Sequence, residues 1–257
     1  MIGVVVMAYG TPASLDDVEG YYTHIRRGRP PEPHLLEELI GRYQALGGTS
    51  PLRAITEAQA AAIGDALGDG FAVALGQKHA APFIEDGARS LVEAGATSLV
   101  GVVLAPHFSK GSVGEYAKRL DAAAAELGVT ATTVPQWHDL PEYRRFLANG
   151  IASGLMSLPA RTKVLFTAHS LPERVLVDDP YPEQLRESAA AVAASVGLDR
   201  WTGWSVAWQS AGRTADPWRG PDVLEVLDDL AGTGRADGVL VCPQGFVADH
   251  LEVLYDL

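Results

Sequence analysis

Three side chains spread along the sequence could together do chemistry: His169, Glu252 and Asp256. Glu252 and Asp256 lie one helical turn apart, so on a helix they share a face and form an acidic track ending near the histidine. Such a track suits a hard divalent cation in transit. Imidazole nitrogen with carboxylate oxygen suits first-row metals, and a neutral histidine with a pKa near ~6.5 also accepts a proton at pH 7. The bland alternatives stay open: a solvated helix face for the carboxylates and a hydrogen-bonded structural imidazole for His169.

A second set is basic. His24-Ile25-Arg26-Arg27-Gly28-Arg29-Pro30-Pro31 precedes Gly41-Arg42-Tyr43 and Gly47-Gly48-Thr49-Ser50-Pro51-Leu52, concentrating positive charge on a chain whose formal net charge is -12. Arginine forks match carboxylates bidentately, and Ser50 with the free N–H groups of a following helix would complete an anion site. The same arginines would also serve as a solubilising loop or as charges at a helix C-terminus.

These residues need elements to position them. Apolar, β-rich runs at Ile2–Ala8, Phe71–Gly76, Ser98–Leu104, Thr130–Val134, Lys163–Ala168, Trp204–Trp208 and Gly238–Cys242 alternate with helical patterns, which predicts an α/β protein with parallel sheets wrapped by helices. The longest helices are expected at Leu52–Leu67, Ser112–Leu127, Tyr181–Val196 and Pro221–Leu230, with Ser50-Pro51, Ser112 and Asp222 as start signals. Open parallel sheets bind ligands at the carboxyl ends of their strands. Polar residues follow nearly every strand here: Tyr9, Lys78 and His79, His107, His169 and Ser170, Gln209 and Ser210, and Gln244 onward. His24, His34 and His138 are given a structural reading, Cys242 that of a small buried residue, and Trp201, Trp204, Trp208 and Trp218 that of packing residues first. Two domains are expected, 1–155 and 156–257. A helix beginning at Asp249 is expected to run through Leu257, so that the second domain looks incomplete at its C-terminus.

The sequence also excludes several function classes. The 257 residues, 47% of them hydrophobic, can bury a real core, while the negative charge argues against a nucleic-acid backbone as partner. No phosphate-binding glycine signature follows the first strand and no Gly-x-Ser-x-Gly elbow is present, which disfavours nucleotide cofactors and acyl transfer. One cysteine builds neither a disulfide nor a thiolate metal site. No apolar run is long enough for a membrane span, and a cytoplasmic protein is expected.

Taken together, the segments Tyr9-Gly10-Thr11-Pro12, Arg42-Tyr43 through Ser50-Pro51-Leu52, Lys78-His79 with Pro82-Phe83-Ile84-Glu85, Ala105-Pro106-His107-Phe108-Ser109 with Tyr116, Ala168-His169-Ser170-Leu171-Pro172, Trp208-Gln209-Ser210-Ala211-Gly212, Pro217-Trp218, and Gly245-Phe246 with Asp249-His250-Leu251-Glu252 resemble the ferrochelatase family. Their joint order and spacing carry the resemblance along nearly the whole chain. It implies two Rossmann-like, chelatase-like domains, each with a four-stranded parallel sheet, and a porphyrin in the cleft between them. It implies a lyase of haem biosynthesis that inserts Fe2+ into coproporphyrin III, with His169 and Glu252 as catalytic metal-site pair and Asp256 as the next member of an acidic ridge. Tyr9 matches the tyrosine of members acting on coproporphyrin III, where it can ligate iron axially. Arg26, Arg42, Tyr43, Ser50 and Tyr116 match propionate-holding positions, and Lys78, His79 and His107 match cleft residues of less defined role.

The resemblance implies porphyrin and ferrous iron as substrates, no permanently bound cofactor, no [2Fe–2S] cluster in this chain, and transient contact with other haem-pathway enzymes. Ala248 departs from the Ser or Thr usual before Asp249, leaving Asp249 to cap the helix. The competing expectations are a protoporphyrin IX ferrochelatase, a cobalt or sirohydrochlorin chelatase, and a porphyrin or haem carrier without catalysis.

Overall fold

A computed structural model of the chain describes residues 1–199, 203–212 and 214–257; Trp201 lies outside them. In chain order the elements are β1 (Ile2–Ala8), α1 (Val18–Ile25), α2 (Pro33–Ala45), α3 (Leu52–Leu67), β2 (Phe71–Gln77), α4 (Ile84–Glu93), β3 (Ser98–Val103), α5 (Val113–Leu127), β4 (Thr130–Val134), α6 (Pro141–Leu155), β5 (Thr162–His169), α7 (Tyr181–Ser195), β6 (Trp204–Gln209), α8 (Val223–Thr233), β7 (Gly238–Cys242) and the short α9 (Leu251–Leu254). They form two compact units: residues 1–104, 112–135 and 248–257 make the first, and 105–111 with 136–247 the second.

The first unit is built on a parallel four-stranded sheet ordered β2-β1-β3-β4. Its centre, β1, is buried on both faces, which explains an unbroken apolar run where a half-exposed strand would alternate. Successive side chains point to opposite faces. Val4 and Val6 therefore pack with Ala60 and Ile63 of α3, while a Cβ added at Gly3 or Gly101 would strike Leu91 of α4 or Leu120 of α5. Helices cover both sides.

The second unit repeats the plan on a parallel sheet of three strands among the described residues, ordered β6-β5-β7, rather than the four expected of each domain. Val164 and Phe166 of central β5 pack against Tyr143, Leu147 and Ile151 of α6 and Val192 of α7. Leu165, pointing the other way, packs with Val223 and Leu230 of α8. Asp222 caps α8 by accepting from the Leu224 N–H at 2.9 Å, with Glu225 returning a bond to the Asp222 N–H at 3.2 Å.

In that division α6 packs on α7 and β7 within the second unit, and residues 248–257 fall in the first. One expectation needs correction. The C-terminal helix is one turn, Leu251–Leu254, with His250 rather than Asp249 at its N-cap. Only Leu251 of its apolar residues is buried, in a cluster with Val18 and Tyr43; Leu254 and Leu257 each keep 45% of their surface. One anchored side chain does not offset the cost of a longer helix.

Candidate functional site

In a sheet ordered with β1 between β2 and β3, or β5 between β6 and β7, successive crossovers leave the central strand in opposite directions, and the crevice at its carboxyl end is the natural ligand site. Tyr9 follows β1 and His169 ends β5, so each unit presents one expected site residue at that position.

In the second unit, His169 pairs in register with Gln209 of β6. Its carbonyl accepts a hydrogen bond from the Tyr181 hydroxyl at 3.3 Å, and the Trp218 ring lies 6.5 Å away. Trp218 in turn packs on Gly212, where an added Cβ would meet the indole at 2.4 Å. His169 Nδ1 contacts the carbonyl of Ser170. A carbonyl oxygen only accepts, so Nδ1 carries the hydrogen and the ring's lone pair resides on Nε2. Ser170 is itself fixed: its N–H donates to Gln209 at 2.8 Å and its hydroxyl to the Arg219 carbonyl at 2.7 Å. The β5 end thus holds an oriented imidazole whose Nδ1 is committed to the Ser170 carbonyl.

His107, also expected in the cleft, keeps only 2% of its surface within the second unit. Its Nε2 meets the Ser188 hydroxyl at 2.8 Å, and Ser188 also donates to Gln244 at 2.9 Å. The ring stacks on His138 at 5.2 Å, whose Nε2 lies 3.8 Å from Glu187. Burial, reinforced by His138, pushes the His107 pKa down to about 3. His107 is thus a neutral member of a buried polar network, the reading that His138 already had. Cys242 is buried, and that burial pushes its thiol up to about 12.

In the first unit, the β1–β2 pairing continues past the strands, with the Lys78 N–H donating to Ala8 at 2.8 Å and the His79 N–H to Tyr9 at 3.0 Å. Gly10 turns the chain at φ +92°, where an added Cβ would lie 3.0 Å from the Ala80 backbone. The Tyr9 and His79 rings consequently meet at 4.6 Å. His79 Nδ1 sits 3.0 Å from His24 Nδ1, and burial, then the neighbouring Lys78, His24 and Arg119 side chains, push its pKa down to about 3. Lys78 pairs with Glu115 and lies 5.3 Å over the Tyr116 ring. Tyr116, expected to touch propionates, is buried at 4% exposure.

The carboxylates end this set. Glu252 lies 3.4 Å from His250 Nε2. The Tyr9 phenol is pushed above its ordinary range by desolvation and then by Glu252, although Tyr9 keeps 44% of its surface. Desolvation also raises Tyr21 and Tyr43, with Glu252 contributing to both. Asp256 binds Arg42, so two residues expected to serve different ligands hold each other. Among the described residues, no three or more His, Cys, Asp or Glu side chains gather to hold a metal ion.

Of the expected anion-binding residues, Ser50 is buried and accepts from the Leu52 N–H at 3.2 Å, at the start of α3. Tyr43 is buried beside Thr11, their hydroxyls 3.5 Å apart. Arg26 lies 5.7 Å over Tyr22, and its Nε is buried without a hydrogen-bond partner. Sequence reasoning missed Glu115, Arg119 and the pairing of His24 with His79. Glu115 and Arg119 bracket Tyr116 on one face of α5, a helical spacing that was readable.

Comparison with known proteins follows the same lines. The family model described as ferrochelatase matches residues 1–257. The chain is 44% identical over 264 residues to the coproporphyrin III ferrochelatase 2 of Bacillus cereus, covering 99% of this chain and 82% of that protein. It is 44% identical over 266 residues to the coproporphyrin III ferrochelatase of Bacillus subtilis (strain 168), covering 99% and 85%, and 43% identical over 265 residues to that of Geobacillus kaustophilus, covering 99% and 83%. Among solved structures it is similar to CbiX, described as the terminal enzyme of sirohaem biosynthesis in denitrifying bacteria, with a TM-score of 0.44 and 17% identity over 95% of this chain and 92% of that one. No helix among the described residues is long and apolar enough to cross a membrane.

Proposed function

Because the chain belongs to the ferrochelatase family, we propose that it inserts Fe2+ into coproporphyrin III, the substrate in the names of its 43–44% identical relatives. The observation that carries the chemistry is the His169 ring, whose Nδ1–H is committed to Ser170 so that Nε2 holds the lone pair at the end of β5.

In this reading the porphyrin is held through its carboxylates by Arg26, Arg42 and Ser50, with Tyr43 and Tyr116 shaping their surroundings and Tyr9 against the macrocycle. Remote binding energy distorts the ring and tilts the pyrrole N–H bonds out of plane. His169 Nε2 accepts one pyrrole proton. Glu252 conducts the cation, Fe2+ enters as the second pyrrole proton leaves to solvent, and the net charge of the macrocycle core is conserved. No resident cofactor takes part in this scheme.

Anaerobic Fe2+ insertion followed by absorbance, with coproporphyrin III and protoporphyrin IX compared, tests the substrate. The tetracarboxylate should be strongly preferred. Equal kcat/KM for both would refute the arginine roles, and insertion into neither would refute the activity.

A further inference from the structure

Arg42 of α2 and Asp256, which follows α9, are 214 positions apart and close an ion pair within the first unit. Their side chains keep only 25% and 15% of their surface. The Tyr255 ring lies 4.9 Å beneath the Arg42 guanidinium, so the cation is held on its face as well as at its fork. The chain segments on either side border a cavity of about 520 Å³, through Leu46 just after α2 and Leu254 at the end of α9, with Ser50 and Arg53 also in its wall. A partly desolvated guanidinium holding a carboxylate, on segments whose neighbours Leu46 and Leu254 line a cavity, has the form of a carboxylate-binding site with an internal occupant.

Resting on the reading of Arg42 as a substrate-carboxylate residue, the geometry points to Asp256 as a stand-in for a porphyrin propionate. It occupies the Arg42 fork in the empty protein and is displaced when substrate arrives. The exchange replaces one carboxylate by another, so Arg42 is never left as an unpaired, partly buried charge. It also means that part of the porphyrin's binding energy is spent on releasing Asp256, which makes Asp256 a determinant of porphyrin affinity. Removing this carboxylate should therefore tighten substrate binding, and do so through Arg42.

Titration of the full chain with coproporphyrin III in the absence of metal, followed by quenching of tryptophan fluorescence, tests this. Asp256→Asn should bind roughly threefold to tenfold tighter than wild type. Asp256→Glu, which keeps the charge, should stay within about twofold. In an Arg42→Gln background the Asp256→Asn gain should vanish, because there is no fork left to free. Unchanged or weaker binding by Asp256→Asn, with native circular dichroism, overturns the stand-in, as does a gain that survives without Arg42. Failure of folded wild-type protein to bind the porphyrin at all overturns the functional reading, and the stand-in with it.

Discussion

The guanidinium of Arg119 grips Glu85 through two hydrogen bonds, 2.9 Å from Nε and 2.7 Å from Nη2, while its Nη1 donates to the carbonyl of Lys78 at 2.6 Å. One side chain of α5 thereby fixes both ends of the loop that carries His79 and leads into α4. Burial would raise the Glu85 pKa, but the Arg119 hydrogen bonds and charge override it and hold the carboxyl below 4.5.

Arg119→Ala should therefore cost about 1 kcal/mol, a Tm drop of roughly 2–4 °C, the size being limited by partial exposure of both partners. Arg119→Lys should recover little, since an ammonium cannot reproduce the fork. The sign with pH follows from the lowered pKa of Glu85. The pair contributes fully above about pH 4.5 and is lost as pH falls through the folded value. An Arg119/Glu85 double-mutant cycle in urea should show coupling at pH 7 that declines as the pH is lowered through the acid range.

His107 makes the protein acid-sensitive in a different window. Its folded pKa of about 3 lies below the ordinary 6.5, so between these values the unfolded chain binds a proton that the native chain does not. Stability must then rise with pH across that window, by at most about 1.4 kcal/mol per pH unit for this group. Urea unfolding from pH 4 to pH 7 should show a shallower slope for His107→Asn than for wild type, on top of a lower overall stability from the broken Ser188 contact.

Gly245 supports the β5 end from behind. Its N–H donates to Thr167 at 3.0 Å, and an added Cβ would sit 2.6 Å from the Ala168 Cβ and 2.9 Å from the Ala168 Cα, next to His169. Gly245→Ala should cost roughly 1–3 kcal/mol by overpacking. It should also lower kcat more than it raises the porphyrin KM, because the displaced strand carries His169, the proposed base. A thermal melt and steady-state kinetics on the same preparation check both.

Much of this was readable before any coordinates. The strands among the described residues fall where they are expected, and the central ones, β1 and β5, were plainest because a strand covered on both faces has no polar side to disguise it. The places of Tyr9 after β1 and of His169 at the end of β5 were legible from the apolar runs that precede them. What sequence could not supply was distance. Nothing in the spacing says that Asp256 would meet Arg42 rather than a cation, or that His24 would meet His79. The C-terminal helix was overextended because its leucine stripe implied a buried face, whereas only Leu251 finds one. His107 was grouped with open cleft residues because it follows a strand, but it is sealed among Ser188, Gln244 and His138.

The account stands on His169 as the pyrrole base. His169→Ala should insert Fe2+ into coproporphyrin III roughly 10²–10⁴-fold more slowly than wild type in anaerobic single-turnover absorbance measurements. Its porphyrin affinity, measured without metal, should remain within about threefold of wild type. Insertion by this variant at near wild-type rate would contradict the central claim.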